Sequence, residues 1–348
     1  MAKKEVMQGN EAVAESALRA GCRFFAGYPI TPQSEITEYL ALKMNDMPGR
    51  AFVQGESEVA SINMVFGASA AGARAMTATA SHGLSLMAET LSFCASQTVP
   101  AVIVDVGRAI SSTDPAQTNY NFITKSLGHG GFRPFCFAPA TVQESADMVY
   151  EAFDIADKYR CVVFVMTDGM LGHLIETVEL KPYRELADVP ERDWAPHGCG
   201  RGHVTHGGTP YIRGEALANR QEEIYAEWER DYTRVEDYYA ADAEVLVLAW
   251  GTVARTAKSA VKKLRGEGCR VGLLRPQTLF PFPNRAIREI DERRVRHILV
   301  LEDAIPYQFY HDVMYALGGK PIPVTRYARS MGVQVSAEEA EEQLRRLL

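Results

Sequence analysis

Residues 51–83 read AFVQGESEVASINMVFGASAAGARAMTATASHG, and the order of patterns inside them decides the fold. AFVQG (51–55) is a short β-prone run, the acidic pair Glu56 and Glu58 leads into a helix unusually rich in Ala, Gly and Ser, and AMTATA (75–80) is strand-like again. A strand, a helical crossover and a second strand make a parallel pair, and such crossovers are right-handed. Outward from this unit the alternation repeats. CRFFAG (22–27) precedes it, and AVIVDVG (101–107), FCFAPA (135–140) and VVFVMTDG (162–169) follow, separated by helical stretches such as QSEITEYLALKM and VQESADMVYEAFDIADKY. Continuous apolar strands call for helices on both faces of the sheet. Residues 1–185 are therefore expected to form an open α/β domain with a parallel sheet.

A second α/β pattern occupies 239–348, with strands EVLVLAWG (244–251), RVGLLRP (270–276) and HILVLED (297–303). It predicts a smaller domain. The stretch between, 186–238, combines the Gly-, Pro- and His-rich WAPHGCGRGHVTHGGTP with a charged helical pattern and reads as linker or protrusion. Its histidines His197, His203 and His206, and the more distant His173, match no metal-ligand spacing, so they read as an irregular polar loop and no metal is assigned to this chain.

With 348 residues, 47% of them hydrophobic and 23% charged, the chain has ample material for two packed cores. The net charge of −7, without a Lys/Arg stripe, argues against nucleic acid as a partner. MAKKEVMQGN runs into a helical pattern without a signal-peptide core, and no apolar run approaches the roughly twenty residues a membrane span requires. A cytoplasmic protein is expected. Cys22, Cys94, Cys136, Cys161, Cys199 and Cys269 are scattered singly, which predicts reduced thiols and no iron–sulfur cluster on this chain.

Polar or strained peptides fall where the first-domain strands end: GYPITPQS, GESE, SHG and GRA. Ligands of doubly wound folds bind outside the carboxyl ends of strands, so these four should converge on one crevice. Glu56 and Glu58 either favour a helix N-terminus electrostatically or include a partly desolvated carboxylate able to share a proton with a heterocyclic nitrogen. Thr31 between Pro29-Ile30 and Pro32 is either a preorganised hydroxyl or the N-cap of a helix beginning at Pro32. Arg108, emerging from an apolar strand, suits a substrate carboxylate or a structural pair with Asp105 or Asp114. WGT (250–252) and LEDAIP (301–306) lie past second-domain strands, where either ligand contacts or ordinary turns are found.

Taken together, GYPITPQSEI, QGESEVAS, GASAAGARAMTATASHGLSLM, HGGFRPFCFAPATVQES, ADKYRCVVFVMTDG and RPQTLFPFP resemble the α subunit of the 2-oxoacid:ferredoxin oxidoreductases, over nearly the whole chain. The resemblance implies a thiamine-diphosphate pyrimidine-binding domain followed by a transketolase C-terminal-like domain. It gives Glu58 the role of the glutamate that hydrogen-bonds the aminopyrimidine and so promotes loss of the thiazolium C2 proton, with Glu56 one step removed. It implies that Pro29, Ile30, Ser81, His82 and Gly83 line the cofactor pocket and that Thr31 and Arg108 bind the 2-oxoacid. The implied reaction is coenzyme A-dependent oxidative decarboxylation with electrons passing to ferredoxin.

The Gly-Asp-Gly motif with its downstream Asn, which holds the diphosphate through magnesium, is not found; TDG (167–169) is incomplete. The resemblance therefore implies a separate β subunit for that half of the cofactor, and γ and ferredoxin-like δ subunits carrying [4Fe-4S] clusters. Two segments depart from the family pattern: AISSTDPAQ after Arg108 and EDAIPYQ in the second domain. HGGF, ADKYR and TDGMLGH look closest to members acting on branched-chain acids such as 3-methyl-2-oxobutanoate, with 2-oxoglutarate the alternative. A distal carboxylate would require a second cation, for which Arg133 and Lys125 are candidates, whereas an aliphatic tail would be met by Phe122 or Ile110. A thiamine enzyme with another electron acceptor, or a non-catalytic scaffold subunit of the same fold, are the competing readings.

Overall fold

The apolar runs read from the sequence are strands in the computed structural model, which describes residues 4–128, 130–189, 192, 194–196 and 214–348. In chain order the strands are β1 (Lys4–Gln8), β2 (Phe24–Gly27), β3 (Ala51–Gln54), β4 (Ala75–Thr79), β5 (Ala101–Gly107), β6 (Phe135–Phe137), β7 (Val162–Asp168), β8 (Ile175–Glu179), β9 (Val235–Tyr238), β10 (Val245–Leu248), β11 (Val271–Pro276), β12 (Thr278–Phe280), β13 (His297–Glu302) and β14 (Val324–Ala328). Seven of them form one sheet in the order β12-β6-β7-β5-β4-β2-β3, parallel except for β12. Every residue of β4, β5 and β7 is buried, as a sheet covered on both faces requires.

The two faces are covered by different helices. Gly9–Arg19, Ser34–Met44 and Val142–Tyr159 bury Leu18, Ile36, Leu40 and Phe153 on one side, each side chain contributing about 1.5–3 kcal/mol. Glu58–Ala70 and His82–Ser96 bury Ile62, Val65, Leu84 and Leu91 on the other. The second sheet, β14-β13-β10-β11-β9, is parallel apart from β9. Apolar residues of both sheets share one core, where the Tyr120 ring meets Trp250 at 5.8 Å and Phe309 at 5.9 Å between centroids.

Three features depart from the sequence reading. RPQTLFPFP does not stay with the second sheet: the chain leaves β11, turns at Gln277 and lays β12 antiparallel on β6 of the first. Gln277 O accepts from Ala138 N at 2.9 Å, and the buried Arg275 pairs with Glu144 and Glu236, so the crossing is fixed at both ends. The N-terminus makes β1, paired with β8, before the helix it was expected to enter directly. Finally, the later part of the 186–238 stretch is not a protrusion. Helix Glu215–Asp231 sinks Trp228 against Phe135 and Tyr159 at 5.2 and 5.5 Å between ring centroids, and β9 belongs to the second sheet. His197, Cys199, His203 and His206 lie outside the described residues. Among those residues no helix is long and apolar enough to cross a membrane.

Candidate active site

Four strand ends of the first sheet meet at one edge, and the first contribution is the loop after β2. Gln33, fully buried, donates from Nε2 to Tyr28 O at 2.9 Å and accepts from Thr37 Oγ1 at 2.9 Å, while Asn10 Nδ2 donates to Pro32 O at 2.8 Å. The loop is thereby arched outward. Helix Ser34–Met44 begins past it with Gln33 at the cap position, so Thr31 is not the N-cap and Pro32 not the first helical residue. Pro29 and Thr31 are exposed, Ile30 is half-buried, and the Thr31–Pro32 peptide is cis.

Ser57 caps the next helix through a bond from Ala60 N at 3.1 Å, which makes Glu58 its first residue. Glu58 is 4% exposed, yet no donor among the described residues reaches its carboxylate. Its Oε1 lies over the α-carbon of Gly83: a β-carbon there would stand 2.4 Å from Glu58 Oε1 and 2.4 Å from Thr79 Oγ1. Thr79 Oγ1 is itself buried without a partner. Leaving buried polar atoms unsatisfied is costly, and a cradle that only glycine permits suits a flat ring edge carrying its own donor and acceptor. Glu56, by contrast, is exposed.

The turn into helix His82–Ser96 places Ser81 at φ +44°, a strained backbone for a residue with a β-carbon. Ser81 Oγ donates to Arg108 O at 2.8 Å, so this turn and the end of β5 are tied together. The Arg108 guanidinium turns the other way and donates from Nη1 to Thr31 O at 2.7 Å. Its Nε is buried without an acceptor, and Arg108 makes no ion pair among the described residues. The structural alternatives are occupied otherwise: Asp105 accepts both amide bonds of Asn119, and Asp114 accepts from Ser112 Oγ. Thr31, Arg108, Ser81, His82, Gly83 and Glu58 therefore form one linked edge.

The second sheet closes this edge, a contribution the sequence reading did not assign. A cavity of about 400 Å³ is lined by Ser81, His82 and Asn119 from the first sheet and by Ile305, Gln308 and Met331 from the second, with Ile110 at its rim. Gln117 donates from Nε2 to Trp250 O at 2.9 Å, and Gln308 donates to Thr118 O at 2.9 Å. WGT thus docks the sheets together through Trp250, and LEDAIP does so through Asp303, whose N donates to Gln117 Oε1 at 3.1 Å. Buried acids collect at that junction. Burial pushes Asp105 and Asp303 up to about 7, the former opposed by Asn119 and the latter by Val335 N–H, and the charge of Asp168 adds to both. Asp168, the acid of TDG, accepts from Leu171 N at 2.9 Å and from Thr252 Oγ1, and burial raises it too.

Lys125 and Arg133 lie elsewhere. They line a separate groove of about 670 Å³ with Tyr225, Phe280 and Tyr315, where Lys125 pairs with Asp312 at 2.5 Å and Arg133 stands over Phe280. Phe122 packs on the shared core. His173 faces Glu35 at 3.3 Å, and no group of three or more His, Cys, Asp or Glu among the described residues is arranged to hold a metal. Burial drives the Cys22 and Cys94 thiols up to about 12, which keeps them unreactive.

Residues 15–241 match the family described as pyruvate flavodoxin/ferredoxin oxidoreductase, thiamine diphosphate-binding, and residues 243–340 match pyruvate:ferredoxin oxidoreductase core domain II. The ketoisovalerate oxidoreductase subunit VorB of Methanothermobacter thermautotrophicus is 41% identical over 98% of this chain and 97% of its own. The 2-oxoglutarate synthase subunit KorA of Methanocaldococcus jannaschii is 34% identical over 89% and 91%. The 2-oxoglutarate:ferredoxin oxidoreductase of Magnetococcus marinus, solved with 2-oxoglutarate, coenzyme A and succinyl-CoA bound, superimposes with a TM-score of 0.84 at 25% identity, covering 99% of this chain and 65% of that one. With both segments matched in order around a partnerless buried glutamate, the chain belongs to the 2-oxoacid:ferredoxin oxidoreductase family, whose enzymes are assembled from several subunits.

Proposed function

We propose that this chain is the α subunit of a complex that converts 3-methyl-2-oxobutanoate and coenzyme A into the branched acyl-CoA and carbon dioxide, passing two electrons to ferredoxin. The observation that carries the reading is Glu58, buried at the strand-end crevice with no donor of its own. Thiamine diphosphate, when bound, supplies the carbon nucleophile and the electron sink for loss of carbon dioxide. Glu58 holds the proton at a ring nitrogen, and Gly83 admits that ring to contact. Ser81 and His82 border the adjoining 400 Å³ cavity, and Pro29 and Ile30 belong to the loop that Arg108 holds through Thr31 O. Arg108, with Nε unpaired and Nη1 anchored on Thr31 O, orients the substrate carboxylate next to Thr31.

A β subunit completes the cofactor site by holding the diphosphate and magnesium, because the TDG aspartate is already committed to Leu171 N and Thr252. Val59, Leu86 and Phe93, 43%, 52% and 52% exposed on the two helices that carry Glu58 and His82, support that docking face. Iron–sulfur clusters and the ferredoxin contact belong to γ and δ subunits. A branched substrate is favoured over 2-oxoglutarate because Lys125 and Arg133 line a different groove, whereas Ile110, Ile305 and Met331 border this one. Methyl viologen reduction by the co-purified complex with coenzyme A and thiamine diphosphate tests the reading. The branched acid should be used at least tenfold more efficiently than 2-oxoglutarate or pyruvate, and reduction with none of the three would overturn it.

A further inference from the structure

The crevice has an apolar wall that belongs to three separate stretches of chain. Ile110, Ile305 and Met331 are 62%, 51% and 57% exposed, and all three border the same 400 Å³ cavity as Ser81 and His82. No Lys or Arg is among the described residues lining it. Exposed side chains of this size scattered singly mean nothing, but three converging on a cavity with polar groups at its floor mark a ligand surface.

We propose that Ile305 and Met331, contributed by the second α/β unit, act with Ile110 as the specificity wall that receives the aliphatic tail of the 2-oxoacid. The inference rests on the branched-chain reading above and names the residues that would enforce it. Met331 sits at φ +58° and Gly332 at +87°, a backbone that is strained for Met331 and persists only where surrounding contacts impose it. Those contacts are present. Gly332 packs so tightly on Asp114 that a β-carbon would fall 2.4 Å from the aspartate β-carbon, and Ser111 Oγ lies 3.6 Å from Met331 Sδ. The opposing loop is closed by the bridge between Arg108 and Pro115 and by Ala109 N donating to Asp114 O at 2.8 Å, which holds Ile110 at its tip.

Ile305 is fixed from a third direction, since Gln308 three residues on donates to Thr118 O and accepts from Asn121 N at 2.7 Å. The wall is thus built rather than loose. A flexible thioether between two isoleucines can shape itself to isopropyl, isobutyl or sec-butyl tails, while a distal carboxylate there would be desolvated without a cation.

The test compares the co-purified wild-type complex with Met331→Ala, Ile305→Thr and Met331→Arg. For each, kcat/KM is measured with 3-methyl-2-oxobutanoate, pyruvate and 2-oxoglutarate, and the Kd of the unreactive analogue 2-hydroxy-3-methylbutanoate is measured against lactate by calorimetry. Met331→Ala and Ile305→Thr should each lower the branched-to-pyruvate ratio of kcat/KM by about tenfold or more, as loss of one or two apolar groups from a substrate pocket does. The analogue's Kd should weaken relative to lactate in parallel, and Met331→Arg should raise the 2-oxoglutarate-to-branched ratio. Unchanged ratios and Kd values in variants of a wild-type complex that prefers the branched acid would overturn the wall alone. A wild-type complex without that preference would overturn the substrate reading itself. Should Met331→Ala fail to assemble, Ile305→Thr, which leaves the Met331 turn intact, decides the question.

Discussion

Glu58 and Glu302 are the same residue type, at the mouths of two parallel sheets, 4% and 1% exposed, and they live in opposite circumstances. Glu302 ends β13 and accepts from the backbone N–H groups of Gln308, Phe309 and Tyr310 at 2.9, 3.0 and 3.2 Å, gathering the start of helix Phe309–Leu317. Burial still holds its carboxyl above the ordinary range, with those amides pulling against it. Glu58 begins a helix, accepts nothing, and faces a glycine and an unpaired threonine hydroxyl. The difference separates two uses of a buried acid. One is spent on holding its own loop, and the other keeps its bonding capacity for something that arrives.

Exchanging the two outcomes would break this comparison. Glu58→Gln should lower turnover of the assembled complex by about 10²–10⁴-fold, the range for loss of a positioned proton-transfer group, with its melting temperature unchanged. Glu302→Gln should do the reverse. Replacing a charged acceptor that serves three amides costs about 1.5–3 kcal/mol, read as a lower melting temperature, while turnover per folded complex is kept. A normal rate for Glu58→Gln, or a dead but stable Glu302→Gln, would dissolve the distinction.

The two glutamates also differ in how far the sequence discloses them. Glu58 sits in QGESEVAS, between a strand and a small-residue helix, and its place at the strand-end edge follows from periodicity alone. Glu302 sits in LEDAIP, where the sequence leaves ligand contact and ordinary turn equally open, because its partners are amides six to eight residues on that any residue types would supply. Long-range placement is the general obstacle. β5 and β7 announce themselves through seven buried residues each, whereas β12 is only three residues long with two of them buried, lies between prolines, and exists only because Phe135–Phe137 offers it an edge. Met331 carries no signal at all, since its turn is held by Gly332 packing on Asp114 some two hundred positions away.

Arg108 sharpens the same contrast for a cation. One of its donors is spent on Thr31 O and another, Nε, is buried and unused. Arg108→Ala should raise KM for the 2-oxoacid about 10–100-fold with a smaller change in kcat, corresponding to the roughly 1.5–3 kcal/mol of a charged hydrogen bond. Arg108→Lys should recover little of it, because an ammonium cannot reach Thr31 O and a planar carboxylate from one fixed fork. An unchanged KM would mean that Arg108 serves only to hold the Thr31 loop.

Asp303 falls between the two glutamates and yields the smallest effect. Its Oδ1 accepts from Val335 N at 2.9 Å, and its Oδ2 is buried without a partner. Burial lifts the carboxyl to about 7, from an ordinary 3.8, and the nearby charge of Asp168 adds to the rise. The folded state therefore retains a proton that the unfolded chain has already released between those values. By linkage, the stability this group contributes is complete below about pH 4 and is lost as pH rises through about 7. Melting temperature should accordingly fall between pH 5.5 and 8, and Asp303→Asn should flatten that fall by the equivalent of about 1–3 kcal/mol. Asp105, raised to about 7 in the same way, keeps part of the slope in the variant. An unchanged fall in Asp303→Asn would mean that Asp303 is already ionised and paired in the folded complex, like a carboxylate whose bonding capacity is filled.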